Sequence, residues 1–334
     1  MKKFCFFIVL IIIISGLSSY CIAVDGEYED DALSEEEMEY VDELDEAEAL
    51  SEEYNQEGLE LAKKGENEKA IESFKKAIET DELNLEAYQN LGYVYAWGKD
   101  YDKAIEIFER LSGLVPESST PYRQLISIYS LQGLNDKVIS CGEKALEINS
   151  NDYTVMANLV NPYIVVGRYT DAIDFIDKLI ERNPNRPRLY RLLAMAYIGM
   201  GDEKRAKKEF TKSYNMIKDM TLYEDAPEKT KSIDELFNGM KGDFYFEKGN
   251  RLLDEAKNDE AIEYYKKSIK LNADNHKPYY ILAKIYNYRG EKEESLNYLK
   301  KAVGLNPLLL EELKDSSDFE TLKDMEGYNA LFAD

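Results

Sequence analysis

From Tyr54 onward one spacing governs the chain: residue types recur every 34 positions. Tyr54, Tyr88, Tyr122, Met156 and Tyr190 form one series, and Ala70, Ala104, Val138, Ala172 and Ala206 form a second. The register then jumps by 55 residues, one period plus 21, and resumes with Tyr245 and Ala261, followed by Tyr279 and Ser295. A period of this length argues against one closed globular core. Each unit is a small module that buries its apolar face only by stacking on its neighbours. The predicted layout is five units at 51–84, 85–118, 119–152, 153–186 and 187–220, an insertion at 221–241, and two further units at 242–275 and 276–309.

Each unit reads as two amphipathic helices. In the second unit Tyr88, Leu91, Gly92 and Tyr95 fall at i, i+3, i+4 and i+7, which is one face of a helix. Lys99 and Asp100 form the turn, and Ala104, Phe108 and Leu111 line a second helix. Pro116 stands in the exit turn, where it cannot continue that helix. Gly133, Gly167, Gly201 and Gly290 mark the turns inside other units, at the end of a helix. The fold class is therefore all-α, an α-solenoid of about seven stacked antiparallel helix pairs. After the last unit, Phe319, Leu322, Met325, Tyr328 and Leu331 are spaced helically, and Glu311, Glu312, Asp315 and Asp318 fall on the other side. Residues 310–334 are thus expected to form a capping helix over the last open face.

The aromatic, Leu-Gly, Tyr, Ala, Phe and Pro positions of these units resemble the tetratricopeptide repeat. Gly58, Gly92, Ala194, Gly249 and Ala283 are its small residues in first helices, which let paired helices approach. Tyr95, Tyr129, Tyr163, Tyr197 and Tyr286 are its large residues between units. The resemblance covers residues 51–309. It implies a concave groove, lined by the first helices, that receives a peptide or a partner helix. The residues it places there are Gln89, Tyr93 and Trp97 of the second unit, Arg123 and Ser127 of the third, and Asn161 of the fourth. Arg188 and Arg191 come from the fifth, and Tyr280, Lys284 and Tyr288 from the seventh. Arg182, Arg186, Arg188 and Arg191 also form a local cationic cluster suited to a carboxylate-bearing ligand or to the chain's own acidic N-terminal stretch. Some members of the family grip a terminal carboxylate with a Lys and an Asn one helical turn apart. Here Arg191 is followed at that spacing by Met195, and Tyr280 by Lys284, so that mode is not expected.

Two regions depart from the pattern. Gly142 stands where Phe74 and Phe108 stand in the first two units, and Pro162 falls inside a predicted helix. Neutral drift is one reading. The other is a widened groove or small pocket at the third and fourth units, open to a small ligand or a cell-wall component. In the insertion, Asp225-Ala-Pro-Glu reads as a loop, and Ser232 with Glu235 as a capping-box helix start. A lengthened first helix in the sixth unit, or a small extra helix, is expected.

The N-terminus differs from the array. Lys2 and Lys3 precede an apolar stretch, Phe4 to Ile14, and a small, polar run through Ser19. This reads as a signal peptide, 1–23, with cleavage after Ala23, placing the mature chain in the periplasm or outside the cell. The competing reading is an uncleaved anchor, but the apolar segment is short against the roughly 20 residues of a full span. No integral membrane span is expected after cleavage. Lipid attachment at Cys21 is disfavoured by Tyr20, where a small residue belongs.

Sixteen acidic residues and no basic ones lie between 25 and 53. Residues 24–50 are expected as an acidic, mostly disordered spacer, with a weak helix from Ser34 towards Tyr54. The net charge of −24 argues against nucleic acid or an anionic membrane surface as partner. A protein or peptide is the expected partner. The lone His276 has no fixed acidic or Cys partner, and no phosphate loop, zinc motif or nucleophile elbow is present. The chain is therefore read as a non-enzyme that needs no cofactor.

Overall fold

The computed structural model describes residues 35–220 and 231–332. The signal-peptide segment, Ser34 at the expected start of the weak acidic helix, and the Asp225-Ala-Pro-Glu loop lie outside the described residues. The array runs as α1 (Glu35–Lys63), α2 (Asn67–Thr80), α3 (Leu85–Trp97), α4 (Tyr101–Leu114), α5 (Thr120–Leu131), α6 (Asn135–Ile148), α7 (Tyr153–Val166), α8 (Tyr169–Arg182), α9 (Pro187–Met200) and α10 (Glu203–Met220). It continues as α11 (Ile233–Asp254), α12 (Asn258–Leu271), α13 (His276–Tyr288) and α14 (Lys292–Leu305). Among the described residues there is no strand. Helices pack as antiparallel pairs, α1 with α2, α3 with α4 and so on, and each pair stacks on the next.

Packing follows from the small positions. A Cβ on Gly92 would lie 2.6 Å from Phe108 Cζ, and one on Gly58 2.6 Å from Phe74 Cε1, so the aromatic ring of the second helix rests on bare backbone of the first. In the sixth unit Tyr265 rests on Gly249 in the same way, at 2.8 Å. Adjacent units are joined by a repeated hydrogen bond. The Tyr129 hydroxyl donates to Glu109 at 3.2 Å, and the Tyr163 hydroxyl to Glu143 at 3.1 Å. Burial first, then the nearby carboxylate, pushes both phenols up to about 12. The turn inside each unit passes through a left-handed residue. Glycine serves at Gly65, Gly133, Gly167, Gly201 and Gly290, but Lys99 and Ala256 take the same place with φ of 62° and 58°.

Three expectations need amendment, at the acidic spacer, at Gly142 and at the C-terminal cap. The acidic spacer is helical from Glu35, and α1 carries it without a break into the first unit. The gap at Gly142 is filled, because Leu159, itself fully buried, packs directly on its Cα. The pocket read from that glycine is therefore not there. Pro162 lies inside α7, as expected, and is buried there. The capping segment folds as pieces rather than one helix: α15 (Leu309–Asp315), a 3-10 turn at Glu320–Leu322, α16 (Glu326–Asn329) and a second 3-10 turn at Ala330–Phe332. Short pieces let Phe319, Leu322 and Tyr328 all reach the open face of α13 and α14, where they are buried.

The insertion lengthens the first helix of the sixth unit. Ser232 caps α11 with the predicted box: its hydroxyl accepts from Glu235 N at 3.2 Å, and Glu235 Oε2 accepts from Ser232 N at 2.7 Å. α11 runs beside the first half of α10, tied by ion pairs Lys207–Asp234 and Lys241–Glu203 and by a Phe210–Phe237 ring contact at 5.6 Å. It then continues past the start of α10. Phe237 and Phe244 belong to the core of the first five units, whereas Phe246 and Leu252 belong to the core of the sixth and seventh. One helix thus joins the two blocks.

Candidate functional site

First helices of neighbouring units approach one another, α1 with α3 and α7 with α9, more closely than second helices do. The first helices therefore line the inner side of the curve. On that side the second unit presents Trp97, 71 % exposed, at the end of α3. It is not a loose side chain. Its ring stacks on Tyr93, with centroids 6.3 Å apart and planes 17° apart, and Tyr93 in turn meets Phe108 edge-on at 5.8 Å. The Tyr93 hydroxyl accepts from Gln124 at 2.9 Å and from Gln89 at 3.3 Å. The result is a pre-positioned aromatic platform.

One period further along stands Leu131, also 71 % exposed, and one period beyond that Val165, 43 % exposed. Trp97, Leu131 and Val165 occupy the same position in three successive units, so an apolar row runs along the ends of α3, α5 and α7. Sequence reasoning picked out Trp97 and missed the other two. The signal was present in the 34-residue spacing, but Leu and Val at the end of a helix read equally well as core.

The other predicted groove residues differ in availability. Arg123 pairs with Asp152 at 3.7 Å, and Asp152 is nearly buried because it also caps α7. Ser127 donates back to the Arg123 carbonyl at 3.1 Å. Asn161, Arg188 and Arg191 are exposed, and the two arginines form no ion pair among the described residues. Arg182 instead stacks on the Tyr153 ring at 4.4 Å. In the seventh unit the groove positions are already occupied. Lys284 pairs with Asp318 at 2.8 Å, Tyr280 meets Phe319 edge-on at 5.8 Å, and Asn287 donates to the Asp318 carbonyl at 2.7 Å. Tyr288 remains 89 % exposed.

The apolar row ends in a cavity of about 690 Å³. Its walls are the turn of the third unit, the end of α7, Met195 of α9 and the second half of α11. It exists because α11 crosses to the fourth unit, where Arg251 donates to the Val165 carbonyl. His276 is not part of this lining; its Nε2 lies 3.2 Å from Asn306 Nδ2. Cys141 is a free, partly buried thiol whose pKa burial pushes up. No helix among the described residues is long and apolar enough to cross a membrane.

Stacked antiparallel pairs on a 34-residue period, with an exposed row on the inner face, define a helical-repeat solenoid. Models of the tetratricopeptide repeat match residues 58–96, 86–118, 187–219, 239–275 and 276–307, so these stretches of the chain are tetratricopeptide repeats. Proteins of this class are in general non-catalytic scaffolds. Among solved structures the chain is similar to the MamA protein, with 26 % identity, a TM-score of 0.47, and coverage of 54 % of this chain and 98 % of that one. It is also similar to a tetratricopeptide repeat protein from Parabacteroides merdae, with 21 % identity, a TM-score of 0.49, and coverage of 79 % and 97 %. YrrB, described as a tetratricopeptide protein with an unusual peptide-binding site, aligns at 20 % identity and a TM-score of 0.45 over 50 % of this chain and 86 % of its own. No curated protein matches the chain.

Proposed function

We propose that the chain is a non-catalytic scaffold of the cell envelope that holds a protein or peptide on its concave face. The observation that carries this reading is the row Trp97, Leu131 and Val165, three exposed apolar side chains in register on successive units. Isolated exposed apolar residues need no explanation, but a contiguous row backed by a fixed aromatic pair has the composition of an interface anchor. The envelope assignment is supported by Lys2, Lys3 and the apolar stretch after them. Export with cleavage would leave a chain whose mass begins at Val24, and an intact chain in the cytoplasm would reject the assignment.

The groove is tested by a pull-down from the source cell's envelope with the mature chain as bait. Trp97→Ala is expected to remove roughly 2 kcal/mol or more from a partner's affinity, as for a central aromatic anchor. Leu131→Ser is expected to weaken it further. Unchanged capture by the double variant would reject the groove. The second reading, a small ligand or cell-wall component at the third and fourth units, keeps one support. A cavity does lie beside those units, though it arises from α11 and not from Gly142.

A further inference from the structure

Charge is segregated between the two sides of the array. The first helices of the second to fifth units, α3, α5, α7 and α9, together hold one acidic residue, Glu86, and three basic ones, Arg123, Arg188 and Arg191. The second helices α4, α6 and α8 hold ten acidic residues. In a chain of net charge −24 the inner face is thus apolar and weakly cationic. Arg123 is held by Asp152 at 3.7 Å, whereas Arg188 and Arg191 are exposed and form no ion pair among the described residues. The cavity at the fourth unit is lined by both signs side by side, Asp136 with Lys137 and Glu247 with Lys248, and selects neither.

A surface of opposite character lies at the start of α1. The first helices of the second to fifth units run 12 to 14 residues, but α1 runs 29. The array begins at Ser51, which is buried and donates to the Ala77 carbonyl at 2.8 Å. The stretch before it, 35–50, carries nine acidic residues and no basic one. Leu44 and Leu50 stand exposed on it. At 1.5 Å per residue it projects about 24 Å beyond the first unit. α1 passes through Ser51 without a break, so this overhang cannot turn back onto α9 of its own chain.

We infer that the overhang of one copy docks in the concave groove of a second copy. Leu44 and Leu50 then lie against the apolar row at Leu131 and Val165, and the overhang's carboxylates face Arg188 and Arg191. Its length suffices to cross from α5 to α9, with neighbouring helices about 10 Å apart. A basic segment would meet Arg188 and Arg191 with like charge, so the groove favours an acidic helix with apolar residues, and the chain carries one. Two copies repel each other in general, but that repulsion fades beyond about 8 Å at physiological salt and is least over the inner face. The contact joins different surfaces of the two copies, so it continues head to tail instead of stopping at a pair. This rests on the groove reading above and names its occupant.

The test is sedimentation velocity of the mature chain over a range of concentrations. The wild-type mass is expected to rise past that of a dimer. A groove variant, Arg188→Glu with Arg191→Glu, and an overhang variant, Leu44→Ser with Leu50→Ser, are each expected to associate at least about tenfold more weakly. Both change exposed side chains, and circular dichroism checks that each stays folded. A one-to-one mixture of the two variants is expected to form pairs that grow no further, because one intact overhang and one intact groove remain. A wild-type chain that stays monomeric overturns the inference, as does a mixture that does not pair. A groove variant that associates like wild type also overturns it, and assigns the contact to overhangs paired with each other. The double variant Trp97→Ala, Leu131→Ser separates this from the groove reading. If the wild type is monomeric and this variant loses envelope capture, the groove stands and holds a different protein. If the variant changes neither association nor capture, the groove itself falls.

Discussion

The second and seventh units present the same kind of inner face with opposite outcomes. In the second, Gln89, Tyr93 and Trp97 form a fixed platform that ends in open solvent. In the seventh, Tyr280 and Lys284 stand at the matching positions but are held by Phe319 and Asp318 of the chain's own C-terminal segment. A solenoid must seal its last unit, because no further unit arrives to bury the exposed apolar face. Here the seal uses the groove positions as well as the stacking face. The difference teaches that a groove position inferred from repeat register says what a side chain can reach, not whether it is free.

Breaking the seal should produce the largest effect. Phe319 is fully buried. Phe319→Ala is expected to cost about 3–5 kcal/mol, the range for truncating a core aromatic. Trp97→Ala, by contrast, should change stability by well under about 1 kcal/mol, because the ring is mostly exposed. Urea unfolding of the two variants compares the faces directly. Equal destabilisation would mean that Trp97 is core and not an anchor.

The turns offer a smaller test within the same two blocks. Lys99 closes the second unit and Ala256 the sixth, both with the positive φ that other units assign to glycine. Left-handed backbone costs a residue with a Cβ roughly 1–2 kcal/mol, part of which the unfolded-state entropy of glycine returns. Lys99→Gly and Ala256→Gly are each expected to raise stability by about 0.5–1 kcal/mol in thermal or urea melts, and Gly133→Ala to lower it by a similar amount. A loss of stability in both glycine variants would contradict this account of the turn.

The smallest effect belongs to Tyr88, whose ring is wholly buried while its hydroxyl has no hydrogen-bond partner among the described residues. Burial raises its pKa, against the pull of Arg110 beside it. Tyr88→Phe removes a desolvated hydroxyl and keeps the ring under the Arg110 guanidinium, 5.1 Å from the centroid. It should be neutral or stabilising by up to about 1 kcal/mol. Destabilisation in melts would mean that the hydroxyl is bonded in solution.

The fold was largely legible because its determinants are local and periodic. Tyr88, Leu91 and Gly92 announce a first helix, and Ala104 and Phe108 its partner, within a single 34-residue window. The capping box at Ser232 and Glu235 is equally local, and the structure forms it. The C-terminal cap was misjudged in detail because helical spacing of Phe319, Leu322 and Tyr328 is also compatible with short turns that each bring one residue to the open face.

The sequence by itself determined the order and register of the paired helices, since each unit repeats its own pattern and needs only its neighbours to pack. The tertiary structure alone decided where the sixth and seventh units lie. α11 reaches the fourth unit through a contact between Arg251 and Val165, 86 residues apart, and that crossing encloses the cavity. It also decided that Leu159 fills the space at Gly142 and that Asp318 and Phe319 occupy the groove of the seventh unit. No periodic pattern carries such information, because these contacts join residues from different units at non-equivalent positions.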